Sequence, residues 1–110
     1  MNDRDKRCIN KIINYINDII DYCDGISMNE FFDDEKTINA CAFCVMQIGE
    51  IIKDISDNFI NSHSNIPWHS IKGMRNRIVH DYDNIDLIIL WNTIKDSLPD
   101  LKNNLLSILD

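Results

Sequence analysis

Apolar residues return every three or four positions through the first quarter of the chain: Ile9, Ile12, Ile13, Ile16, Ile19, Ile20 and Cys23. That spacing places them on one side of an α-helix, and no strand, with its period of two, reproduces it. The intervening Asn10, Lys11, Asn14, Asn17, Asp18 and Asp21 form a polar back, and Tyr15 and Tyr22 flank the stripe. The pattern predicts a helix over residues 4–24, stopped by Gly25. The rest of the chain has to cover its apolar face.

The same periodicity recurs downstream. Ser27-Met28-Asn29-Glu30 has the form of a capping box opening one short turn through Phe32. Asp33 or Asp34 then caps a long helix reaching about residue 61, with Ile38, Cys41, Ala42, Val45, Ile48, Ile52, Ile55 and Phe59 on its stripe. Phe43, Met46, Ile51 and Ile60 widen that stripe, so burial on more than one side is expected. Gly49 costs helix stability in such a setting, and close packing against a neighbouring backbone is the expected compensation. Asn61-Ser62-His63-Ser64-Asn65 reads as a polar loop. Pro67 suits the first turn of a fourth helix ending near Asp83-Asn84. Asp86 caps a fifth over residues 87–97, and Pro99, which would break that helix, opens a last one over 99–109 with Leu101, Leu105, Ile108 and Leu109 inward.

With three glycines and two prolines in 110 residues, there is little material for the turns of a sheet protein. Isoleucine, at 21 residues, would favour strands by propensity alone, but its spacing is helical. The expected architecture is one all-α domain over residues 1–110, an antiparallel bundle of about five helices. The first and third helices are more apolar than a lone bundle of this size needs, which points to a dimer.

Four cysteines, Cys8, Cys23, Cys41 and Cys44, lie on apolar stripes. Cys41-x2-Cys44 lacks a second close pair to complete a zinc site, and Cys8 and Cys23 stand about four helical turns apart. Free thiols packed as small hydrophobes are expected. The charged start, Met1-Asn2-Asp3-Arg4-Asp5-Lys6-Arg7, is no secretory leader, and no apolar run is long enough to span a bilayer. The expected location is the cytoplasm.

The chain carries a formal net charge of −7, a poor background for gripping nucleic acid. Yet residues 66–82 carry Lys72, Arg75 and Arg77 against Asp81, while the remainder carries 8 basic against 17 acidic residues. This basic island holds Met74-Arg75-Asn76-Arg77-Ile78-Val79-His80-Asp81-Tyr82, the stretch with the most chemistry in it. An imidazole titrates near neutral pH and can move protons. A guanidinium offers a fixed fork of donors to phosphate oxygens. Together they suit cleavage of RNA by its own 2′-hydroxyl, which needs a base, an acid and positive charge at the phosphate. No carboxylate cluster that would hold magnesium accompanies them, so the expected reaction needs no metal and no cofactor. On one continuous helix Asn76 and His80 share a face, but Arg75 and His80 stand about 140° apart. Convergence then requires the arginine to reach round or the helix end to unwind. Asn76 is placed to support His80 or a phosphate, while Lys72 and Arg77 are either solvated charges or contacts to RNA backbone. From spacing alone, Arg-x4-His reads as a solvated or capping pair more readily than as a site. Trp68 and Trp91 read as core anchors, and His63 and His69 as surface residues.

The pattern Arg75-x4-His80-x-Tyr82 resembles the signature of the HepT-like toxins, a branch of the HEPN superfamily of small helical ribonucleases. The likeness extends to Ile66-Pro67-Trp68, to Gly73-Met74-Arg75-Asn76, to Asp86 through Trp91, to Leu98-Pro99 and, upstream, to Gln47-Ile48-Gly49-Glu50. It spans about the whole chain. The resemblance implies a toxin ribonuclease that cleaves RNA without metal, with Arg75 and His80 as the catalytic pair and Asn76 as the polar residue that follows the arginine. It implies a homodimer with the motif near the dimer cleft, so that two copies of His80 share acid and base work. It also implies a partner, an MntA-like minimal nucleotidyltransferase antitoxin that uses ATP to add AMP to Tyr82. The competing expectation is a non-catalytic helical binding subunit of such a nucleotidyltransferase.

Overall fold

In the first helix, α1 (Asp3–Tyr22), the expected isoleucine stripe is buried: Ile9, Ile12, Ile16 and Ile19 have no exposed surface. The computed structural model describes residues 1–81 and 84–109. Asn2 caps α1 by accepting from the Asp5 amide, and beyond its end Gly25 takes φ +75°, a conformation that glycine alone adopts without strain. The capping box forms as expected at the head of α2 (Met28–Phe32): Ser27 Oγ accepts from the Glu30 amide, and Glu30 Oε1 accepts from the Ser27 amide, both at 3.1 Å.

Asp34 caps α3 (Glu35–Ile52), the helix that packs most extensively on α1. It does not run to residue 61. The chain turns at residues 53–55 and restarts as α4 (Asp57–Ser62). The cause is a polar contact from far along the sequence. Asp5, 2% exposed, accepts from the Ser56 amide at 2.8 Å and from its hydroxyl at 2.6 Å, while Ser56 Oγ caps α4 through the Phe59 amide. A serine committed to these bonds competes with helix continuation. Ile55 and Phe59 remain in the core across the break.

Gly49 behaves as its position in α3 predicts. A Cβ there would lie 3.6 Å from the Lys72 carbonyl oxygen, so the backbone of α5 (Trp68–Lys72) passes directly over it. Pro67 stands at the N-cap of α5. Trp68 is buried and donates from Nε1 to the His63 carbonyl at 3.0 Å. His63, expected at the surface, is half-buried: its ring centroid is 4.2 Å from that of Phe59, and Nδ1 lies 2.9 Å from the Phe59 carbonyl. Trp91 is also an anchor, 5.2 Å from Phe31 and covered by Lys95.

The largest departure is in the motif. The expected fourth helix is two short ones, α5 and α6 (Met74–Ile78), and it then stops being helical. Val79 is extended, at φ −108° and ψ 99°, and begins β1 (Val79–Asp81), which pairs antiparallel with β2 (Asn84–Ile85). The β-branched pair Ile78-Val79 suits this change. The Asp86 amide fixes it by donating to the Ile78 carbonyl at 2.7 Å.

Asp86 caps α7 (Leu87–Asn92) as expected, accepting from the Ile89 amide. The break expected at Pro99 is absent. A π turn, Thr93–Ser97, joins α7 to α8 (Leu98–Leu109), and the Leu98 amide reaches five residues back to Thr93. The wider turn gives the proline ring the room that an α-turn denies it. Leu98, Leu101 and Leu105 are buried, and α8 packs on α1. Apart from the hairpin, the fold is the expected all-α bundle. No helix among the described residues is long and apolar enough to cross a membrane.

All four cysteines are buried as free thiols, with Cys23 Sγ 3.7 Å from Cys41 Sγ. Burial pushes the Cys44 thiol up to about 11 and the Cys41 thiol higher still. Neither is a ready nucleophile at neutral pH.

Candidate active site

Unwinding after Ile78 changes what the motif residues can reach. Arg75 and Asn76 stay on α6, while His80 rides on a strand. Alternation along β1 sends Val79 into the core and His80 outward. Asn76 does not stand beside His80 on a shared helix face. Its amide oxygen instead accepts from Arg75 Nη1 at 3.2 Å, which orients the guanidinium. Arg75 borders two depressions. One, of about 650 Å³, is lined by Lys72, His69, Gly73 and Asn76 on one wall and Gln47, Gly49, Glu50 and Lys53 of the α3 end on the other. The second, of about 270 Å³, is apolar and lies among Ala42, Phe43, Met46, Val79 and Ile85.

Arg77 points elsewhere. It donates to the Ser70 carbonyl at 2.9 Å and lines a depression with Asp100 and Asn104. Lys72 and Arg75 thus share a groove that Arg77 does not enter. Tyr82 lies outside the described residues.

One residue near His80 was legible only as a helix cap. Asp86 Oδ2 lies 4.0 Å from His80 Nε2, across the hairpin. The Asp86 backbone is tied to Ile78 through its amide, and its carboxylate is tied at Oδ1 by the Ile89 amide, which leaves Oδ2 turned toward the ring. A fixed carboxylate beside an imidazole orients the ring and stabilises positive charge on it during proton transfer. In the sequence Asp86 stands six residues after His80, and only the strand conformation of His80 brings the two together.

Arginine at the mouth of a groove and an exposed histidine beside a carboxylate form a set suited to phosphodiester chemistry. Residues 12–108 match the family model described as ribonuclease HepT-like. The chain is 33% identical over 103 residues to "Putative RNase MJ1380" of Methanocaldococcus jannaschii, covering 93% of this chain and 94% of that one. It is 36% identical over 77 residues to "Probable ribonuclease HepT" of Thermococcus cleftensis, covering 70% of each. No solved structure matches. The chain belongs to the HepT-like family of ribonucleases.

Proposed function

We propose that this protein is the toxin of a toxin–antitoxin pair and that it cleaves RNA without a metal, using Arg75 and His80. The observation that carries the reading is the hairpin: it takes His80 off the helix and sets it against Asp86, while Arg75, on α6, lines a depression with Val79, the residue before His80. In the proposed reaction the 2′-oxygen forms a bond to phosphorus and the bond to the 5′-oxygen breaks. The proton on the 2′-hydroxyl leaves to a base, and the departing 5′-oxygen takes one from an acid. His80 carries one of these transfers and Asp86 steadies its ring. Arg75, oriented by Asn76, neutralises the crowded phosphate. The products are a 2′,3′-cyclic phosphate and a 5′-hydroxyl.

A single histidine serves both transfers poorly, so a homodimer supplying two copies of His80 is part of this proposal. So is regulation at Tyr82. A partner nucleotidyltransferase would transfer AMP from ATP to the phenol oxygen, releasing pyrophosphate. The tethered phosphate would then compete with RNA for the guanidinium of Arg75 at high effective concentration.

The test is cleavage of RNA by the purified protein in EDTA, with His80→Ala and Arg75→Ala alongside. Losing a proton-transfer group costs about 10²–10⁴ in rate. Full activity of His80→Ala, or activity abolished by EDTA, overturns the mechanism. Co-expression with the nucleotidyltransferase should add the mass of one or more AMP groups to the Tyr82 peptide. Neutralisation of Tyr82→Phe through that enzyme's activity refutes the regulatory part.

A further inference from the structure

We infer that the groove between the end of α3 and the α5–α6 junction is the track for the RNA strand next to the cleaved bond, and that Lys53, His69 and Lys72 are its phosphate contacts. The inference rests on the ribonuclease reading and adds residues to it from two other elements.

Charge singles this groove out. Among the described residues, Lys53, Lys72 and Arg75 line it against Glu50, with the His69 imidazole beside them. The depression near the chain start is lined by Asp5 and His63, that beside α8 by Arg77 and Asp100, and that along α1 by Lys11 and Asp18. None of those three holds more than one lysine or arginine. In a chain of net charge −7, a concave surface carrying an excess of fixed cations is where field lines from a polyanion converge. Arg75 belongs to both this groove and the catalytic set, so a strand lying in the groove delivers a phosphate to it.

Local geometry keeps the groove open. Gly49 is part of its lining, and the Lys72 carbonyl of α5 passes over it, 3.6 Å from where a Cβ would stand. Lys53 is paired with Glu50 at 2.9 Å, but both are more than half exposed, and such pairs exchange partners at little cost. A phosphate arriving beside Lys53 therefore meets an ammonium that can turn to it. The Gln47 and Asn76 amides, also on the lining, supply hydrogen-bonding groups suited to ribose or base edges. An acidic protein segment would use the same cations. RNA is favoured because the catalytic arginine is one of them.

The experiment uses His80→Ala protein, which leaves RNA intact, and a fluorescent single-stranded RNA of about 12 nucleotides. Anisotropy titrations across a salt series give affinity and its salt slope. Adding Lys53→Ala and Lys72→Ala together should weaken binding at least tenfold. It should also flatten the slope of log K against log salt by roughly 1.4, two phosphate contacts' worth for a single strand. Lys6→Ala, on the exposed face of α1, should change neither. A double variant that binds as its parent does overturns the groove, as does a parent that binds no RNA or a Lys6→Ala loss of equal size. So does groove-dependent binding of a glutamate-rich peptide that RNA fails to displace. Cleavage by the unaltered chain is measured in parallel. Absence of cleavage with groove-dependent binding removes the ribonuclease reading and keeps the groove, whereas cleavage without groove dependence does the reverse.

Discussion

His80 Nε2 and Asp86 Oδ2 face each other at 4.0 Å from opposite limbs of a hairpin, and Asp86 is the residue that closes that hairpin by its amide bond to Ile78. One residue therefore both creates the extended conformation of His80 and supplies its carboxylate neighbour. The two roles separate by substitution. Asn at position 86 retains an oxygen for the Ile89 amide and the backbone bond to Ile78, so the cap survives and only the charge is lost.

For Asp86→Asn we expect kcat on RNA to fall about tenfold, less than the 10²–10⁴ lost with His80 itself. KM and thermal midpoint should stay near those of the parent. Steady-state kinetics and a melting curve on one preparation check this. An unchanged kcat, or a kcat loss accompanied by a matching drop in the midpoint, refutes the positioning role.

Asp5 ties α1 to the start of α4, and its titration should be visible in stability. Burial alone would push its pKa up. The Ser56 hydroxyl and amide, with Arg4 nearby, outweigh that and hold it below the ordinary 3.8. A depressed folded-state pKa contributes stability that is complete above the unfolded value and fades as pH falls through the folded one. Asp5→Asn should cost about 2 kcal/mol near neutral pH, since hydrogen bonds to a charged group are lost. It should also flatten the acid limb of a urea-denaturation series. An acid limb as steep as the parent's refutes the assignment.

Gly49→Ala should stabilise the fold. The new methyl would sit at 3.6 Å from the Lys72 carbonyl, an ordinary contact, and the helix interior gains about 0.8–1 kcal/mol of propensity. Chemical denaturation reads the difference. A lowered midpoint would show that α5 sits closer to α3 than this geometry allows.

Phe43 is 53% exposed on α3 and borders the apolar depression beside Arg75, with Tyr15 edge-on at 6.5 Å. We expect that face to be covered by a second copy. Light scattering at micromolar concentration should give about twice 12.9 kDa, and Phe43→Glu should give the single-chain mass. A monomer for the unaltered chain removes both the dimer and the sharing of two histidines.

The features legible in the sequence were those decided within a few residues. The Ser27–Glu30 box, the Asp34 and Asp86 caps and the α1 stripe depend on local spacing, and all are present. What the sequence hid was decided by distant partners. Helix α3 ends early because Ser56 bonds Asp5, 51 residues away. The motif leaves the helix because Ile78 finds the Asp86 amide and Val79 pairs with Ile85. Of the candidate site, Arg75 and Lys72 fall in one groove, whereas Arg77 turns to the Ser70 carbonyl, seven residues back, a contact set by the break between α5 and α6 that no spacing rule foretells.

The π turn at Thr93–Ser97 has a consequence for how this chain tolerates a change of length. One residue more than an α-turn is absorbed there, so the inward faces of α7 and α8 keep the same angular phase about a common axis. Removing a residue from the turn would leave the two faces in phase and tighten the path into an ordinary helix. Pro99 would then stand inside it without the room it now has, so the deletion would be accepted only in company with Pro99→Ala. The extra residue and the proline form a matched pair, the first making the room that the second occupies.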